Sequence, residues 1–113
     1  METVKQYEIW WASLRPPTGR RPVLLLSRDQ AYCYLNKFLA VEITSTIRHI
    51  AQEVPLGRDE GLQRSCVANC DNLRTIPRSA LTERIGRLPS ARGRELKRAL
   101  GHALGWDELI GLP

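Results

Sequence analysis

The stretch Arg20-Arg21-Pro22-Val23-Leu24-Leu25-Leu26-Ser27-Arg28 constrains the fold more than any other part of the chain. Four apolar residues in a row, preceded by turn formers, predict a strand buried on both faces. Pro22 fits only at the first position of such a strand, since it has no N–H to give to the ladder. A strand covered above and below must lie inside a sheet, so the fold is organised around β structure. The same strand would hold Arg20 and Arg21 at its mouth, an anion site on a stiff support.

A length of 113 residues predicts one domain, 1–113, with a single core. No apolar run exceeds five residues, against the roughly 20 of a membrane-spanning helix. Met1-Glu2-Thr3-Val4-Lys5 lacks the apolar centre of a secretory signal, which predicts a cytoplasmic protein without a membrane partner. The net charge of +5 and pI near 9.6 favour an acidic partner such as nucleic acid; a merely soluble basic surface is the alternative. Fourteen of the seventeen basic residues are Arg, a bias that suits forked contact with phosphate and that a GC-rich genome would also produce.

Cys33, Cys66 and Cys70 leave one thiol over in any disulfide scheme, which argues against a secreted scaffold. Along one strand Cys66 and Cys70 would stand about 13 Å apart, beyond the roughly 7 Å a disulfide tolerates. His49 and His102 show no ligand spacing, so no metal site is expected and the thiols read as small buried hydrophobes.

In chain order, Tyr7–Ala12 predicts a first strand and Arg15–Gly19 a loop. Asp29 is placed to cap a short helical turn over Gln30–Leu35, with Tyr32 and Leu35 as its apolar side. Leu39–Thr44 predicts a strand on which Glu42 and Thr44 share one face and Val41 and Ile43 the other. Ser45–Ala51 is a polar loop. Gln52–Leu56 predicts an edge strand, because Pro55 would break a central one. Gly57–Gly61 is a charged turn and Ser65–Cys70 a strand of small residues. Asp71-Asn72 interrupts extended structure that resumes at Leu73–Ile76, Pro77–Leu81 gives one helical turn, and Ile85–Leu88 forms a last short strand. Ser90 can cap a helix whose stripe is Leu96, Ala99, Leu100, Ala103 and Leu104, with Gly105 ending it. These elements predict a mainly β, α+β protein: a small β barrel or curled sheet with helical additions.

The blocks Glu8-Ile9-Trp10, Arg21–Ser27, Ile43-Thr44, Val67 to Asp71–Ile76, and Ile85–Leu88 resemble the MazF/PemK toxins in order and spacing over about residues 5–105. The resemblance implies a CcdB/MazF-like fold, an SH3-like barrel with a sheet extension and a C-terminal helix, acting as a homodimer. It also implies a metal-independent, sequence-specific endoribonuclease that acts on single-stranded RNA, needs no cofactor and is neutralised by a cognate MazE-like antitoxin. Arg21 and Thr44 match the family's catalytic pair. Asn72 stands where many members carry an amide that contributes to the site, and Arg20, Glu42, Ser45 and Arg74 are candidates for holding the substrate. Two departures affect specificity: Leu14–Gly19 is shorter than the corresponding loop of many members, and Lys5-Gln6-Tyr7 replaces their usual entry to the first strand.

RNA cleavage without metal uses the ribose 2′-OH as nucleophile and leaves a 2′,3′-cyclic phosphate and a 5′-OH. The protein must align the attack and stabilise charge on the phosphoryl oxygens. Arg21 suits the second task through a bidentate grip, and Thr44 can donate a hydrogen bond to the same phosphate. Glu42 is a candidate general base; a salt bridge to Arg20 or Arg21 is its other reading. Trp10 and Trp11 cannot both enter the core if they alternate, leaving Trp11 for a dimer interface or for base stacking. Arg48 and Arg78 could join Arg20 and Arg74 along an RNA groove or be solvated surface. Two other functions fit the same composition: a non-enzymatic, CcdB-like gyrase poison and a plain nucleic-acid-binding module. An acidic, partly disordered antitoxin tail that folds over the basic groove is expected for the toxin reading.

Overall fold

The computed structural model describes residues 3–113. Six strands form one antiparallel sheet in the order β4-β5-β3-β2-β1-β6. They are β1 (Glu8–Ser13), β2 (Arg20–Leu25), β3 (Lys37–Thr44), β4 (Glu53–Leu56), β5 (Cys66–Pro77) and β6 (Leu81–Arg87). Among the described residues three helices accompany them: α1 (Ala31–Tyr34), α2 (Gly93–Leu104) and α3 (Asp107–Ile110). None of the helices among the described residues is long and apolar enough to cross a membrane.

The doubly buried strand is β2, between β1 and β3. Val23, Leu24 and Leu25 are fully buried. They point alternately into two separate apolar clusters. Val23 and Leu25 meet Trp10, Phe38, Ala40 and Ile76 on one face; Leu24 meets Ile9, Val41, Ile43, Leu96 and Ala99 on the other. Pro22 is the third residue of β2, not the first, and pairs with Trp11. The ladder to β3 begins only at Val23, so the missing N–H of Pro22 breaks nothing on that side.

Both edges follow from local chemistry. β4 is an edge strand carrying an exposed Pro55. β6 is longer than Ile85–Leu88 because Leu81 and Glu83 already pair with β1. A 3₁₀ turn over Arg58–Glu60 then connects β4 to β5 by leaning on β6 at the opposite edge. Gly61 has φ +99°, and a Cβ there would stand 2.5 Å from the Ile85 carbonyl oxygen. A Cβ on Gly86 would run into the Glu60 carbonyl. Two backbones without side chains therefore meet where the sheet curls over one cluster, and α2 covers that cluster with Leu96 and Ala99. Arg92 clamps the join: its Nη2 donates to Glu95 Oε2 and to the Pro55 carbonyl, both at 2.7 Å, while Nη1 lies 3.4 Å from Glu60 Oε2.

Four local expectations are corrected. β5 is continuous through Asp71-Asn72; the polar pair appears instead as a register shift, with Val41 opposite Leu73 but Ile43 opposite Ala68. Asp29 does not cap α1, since its Oδ1 accepts the Gln6 N–H at 2.8 Å. Leu35 lies beyond α1 and is exposed, whereas Tyr32 is buried edge-on against Phe38. Ser90 opens a 3₁₀ turn rather than capping α2, which starts at Gly93 after Arg92. Gly105 ends α2 in the left-handed region.

Candidate active-site cleft

The β2–β3 register pairs Val23 with Glu42 and Leu24 with Val41. The ladder stops at the Val23–Glu42 pair, but alternation along each strand keeps Arg21 on the side of Val23 and Thr44 on the side of Glu42. Directly opposed residues of antiparallel strands share a face, so Arg21, Glu42 and Thr44 emerge on one side. Arg74 joins them from β5, where it pairs with Ala40. Arg74 Nη1 donates to Glu42 Oε2 at 2.7 Å, and Arg21 Nη1 lies 3.8 Å from Glu42 Oε1. One largely buried carboxylate thus steadies two half-exposed guanidiniums.

A cleft of about 430 Å³ opens at these strand ends. Trp11, Arg20, Arg21, Pro22, Ile43, Thr44 and Ser45 form the part of its wall that comes from β1, β2 and β3. The segment from Gly61 to Arg64, with Cys66 and Ile85, supplies the rest. Of the residues picked from sequence, Arg20, Arg21, Thr44 and Ser45 therefore share one cavity. Glu42 touches it through Arg21, its ionic partner, and Arg74 only through Glu42. Asn72 is exposed on β5 and does not line the cleft.

The remaining side chains sort by their contacts. Trp10 is buried, its indole N–H donating to Glu8 Oε1 at 3.0 Å. Trp11 lines the cleft with the Arg20 guanidinium 4.1 Å above its ring. Arg20 pairs with Glu83 at 3.5 Å, not with Glu42. Arg78 is spent on structure: its Nη2 donates to the carbonyls of Tyr32 and Leu35. Thr44 Oγ1 accepts the Thr46 N–H at 3.1 Å, which leaves its own O–H directed by whatever acceptor enters. The loop that follows is fastened by Glu53, whose carboxylate accepts the N–H groups of Arg48 and His49.

Gly61, Leu62, Gln63 and Arg64 were not visible as site residues in the sequence. Leu62 and Cys66 are buried, and the three residues between them are exposed. Their only sequence signal is a polar triplet bracketed by two core residues, which any surface turn shares.

The three thiols are free and differ in access: Cys33 is exposed, Cys66 and Cys70 are buried. Burial pushes the Cys70 thiol up from 9.0 to about 12, with the nearby Asp71 charge adding to it. Burial also raises Cys66, although the Arg64 guanidinium works against the rise. A thiol-specific disulfide reagent at pH 8 is expected to modify one thiol, Cys33, rapidly in the native protein and all three in denaturant. Because the folded state holds the Cys70 proton more tightly than the unfolded chain, its contribution is complete below pH 9 and is lost as pH rises toward 12.

Comparisons with known proteins place the chain by sequence and by fold. The family model for the PemK-like, MazF-like toxin of type II toxin-antitoxin system matches residues 5–104. The probable endoribonuclease MazF5 of Mycobacterium tuberculosis is 41% identical over 95 residues, covering 82% of this chain and 85% of the relative. The solved structure of Mycobacterium tuberculosis toxin MazF-mt6 superposes with a TM-score of 0.81 at 36% identity, over 87% of this chain and 96% of that one. An endoribonuclease in complex with its cognate antitoxin from a mycobacterial species gives 0.79 at 25% identity, over 91% and 96%. A curled antiparallel sheet with a C-terminal helix thus has its counterparts among MazF toxins, and the chain belongs to the PemK-like, MazF-like family of type II toxin–antitoxin systems.

Proposed function

We propose that this toxin is an endoribonuclease that cuts single-stranded RNA at preferred sequences, with Arg21 and Thr44 as its catalytic pair. The ribose 2′-OH gives up its proton as its oxygen bonds to the adjacent phosphorus, the P–O5′ bond breaks and the leaving 5′-oxygen takes up a proton, giving a 2′,3′-cyclic phosphate and a 5′-OH end with no net change in protons. No divalent ion is needed for this route. The observation that carries the reading is the shared cleft of Arg21 and Thr44 on neighbouring strands. A guanidinium and a hydroxyl lining one cleft can bind the non-bridging oxygens as charge accumulates on them.

Glu42 serves as the support of Arg21, since its two oxygens face Arg74 and Arg21. Glu42→Gln is expected to lower kcat by about 10–100-fold through a misplaced guanidinium while the pH–rate profile keeps its shape. Disappearance of the acidic limb in that variant would instead assign Glu42 the proton-accepting role. Arg20 and Ser45 contact substrate at the cleft, and Arg74 acts through Glu42; Asn72 would touch only RNA that extends past the cleft along β5. The chain works in the cytoplasm as one domain of a homodimer, and a MazE-like antitoxin with an acidic segment silences it by covering the basic cleft.

The test is to incubate purified protein with a long RNA in EDTA and map new 5′-OH ends. Discrete ends at recurring sequences support the reading. Intact RNA, with tight binding to gyrase or with salt-sensitive RNA binding alone, overturns it in favour of a CcdB-like poison or a binding module.

A further inference from the structure

We propose that the Gln63–Arg64 arch is the specificity wall of the cleft: Gln63 hydrogen-bonds a base beside the cut and Arg64 holds a flanking phosphate. This rests on the endoribonuclease reading and extends it to residues on the part of the wall that Arg21 and Thr44 do not supply. Three observations support it.

The arch is presented rigidly. Leu62 and Cys66 are buried at its two ends, and the Leu62 N–H donates to the Gly57 carbonyl at 3.1 Å. Gly61 is pressed against the Ile85 carbonyl, so the segment cannot retreat toward β6. A recognition group held this way loses little freedom when a ligand arrives.

Its side chains are available. Arg20 is engaged by Glu83 and Trp11, and Arg21 by Glu42. Among the described residues, Arg64 is the cleft arginine without an ion pair or a side-chain hydrogen bond. It is exposed, as is Gln63.

The chemistry is complementary to a nucleotide strand. A carboxamide offers a donor and an acceptor together and can distinguish base edges; a guanidinium matches phosphate irrespective of base. Two adjacent residues thereby divide the work, one discriminating and one anchoring.

The experiment compares wild type with Gln63→Ala, Arg64→Ala and Arg64→Lys, each verified as folded by circular dichroism. Single-turnover cleavage of an oligoribonucleotide pool randomised around the cut gives the base preference. Binding of an oligonucleotide with a 2′-deoxy nucleotide at the cut, measured against KCl, gives the salt slope. Gln63→Ala is expected to lose about tenfold discrimination at one base position. Arg64→Ala is expected to weaken binding to all sequences alike and to reduce the log–log salt slope by about 0.7, with Arg64→Lys restoring the slope. Cleavage by wild type, with base preference unchanged in Gln63→Ala and slope unchanged in Arg64→Ala, overturns this assignment and leaves the endoribonuclease reading intact. A wild-type protein that leaves the pool uncut overturns both.

Discussion

Arg21→Ala is expected to lower the rate of RNA cleavage by about 10²–10³-fold, the usual cost of one preorganised donor to a developing oxyanion, and to leave the fold intact. The guanidinium is half-exposed and its ionic contact with Glu42 is long, at 3.8 Å. Glu42 keeps its shorter bond to Arg74 when Arg21 is removed, so no charge is stranded. Thr44→Ala should give a comparable loss, and the double variant less than the product of the two if both donors act on one phosphate. The measurement is single-turnover cleavage of a defined oligoribonucleotide, with thermal melts of each variant alongside. An Arg21→Lys variant should recover little, because a point charge cannot reproduce the two-pronged grip. Full activity in both alanine variants would remove Arg21 and Thr44 from the mechanism.

The largest stability effect is expected from Gly86→Ala, at about 3 kcal/mol, the upper end of what overpacking costs, with a fall in Tm of roughly 10 °C or more. The added methyl would meet the Glu60 carbonyl, and neither backbone can yield easily. β6 is held by its ladder to β1, and the Glu60 turn is fastened by Arg92. Since the same contact seats the Gly61–Cys66 side of the cleft, the variant should also lose RNA cleavage below its melting temperature. Thermal denaturation followed by circular dichroism decides the first part and a cleavage assay at 20 °C the second. A melting curve matching wild type would mean that the two segments part without cost.

What could be read from the sequence was whatever short-range pattern controls. The run Val23–Leu26 announces a doubly covered strand because no polar residue interrupts it. Alternation at Val41–Thr44 sets Glu42 and Thr44 on one side, and Pro55 forces β4 to an edge. Arg21 and Thr44 stand out in the sequence only through the family likeness of their blocks, and alternation from the Val23–Glu42 pair puts them on one face. The rest depends on contacts distant in sequence. The Gly61–Gly86 junction joins residues 25 apart in sequence, so the second wall of the cleft was invisible. Asp71-Asn72 reads as a break because both residues disfavour strands, yet pairing on either side of them, up to Asn69 with β4 and from Leu73 with β3, keeps β5 extended. Asp29 and Ser90 carry good capping side chains, but Gln6 claims the first and a 3₁₀ turn begins at the second.

The trio Arg21, Glu42 and Arg74 has one more effect. With apolar residues above and below it, β2 has little reason of its own to prefer one alignment on β3 over another shifted by a single position. Such a slip would exchange the sides of Val23 and Leu24 at small hydrophobic cost, yet it would turn Arg21 to the other face of the sheet, away from Glu42 and Thr44. The alignment marked by the Arg21–Glu42 contact is thereby also the one that brings the phosphate grip together, so that a misaligned sheet would lack its cleft pair.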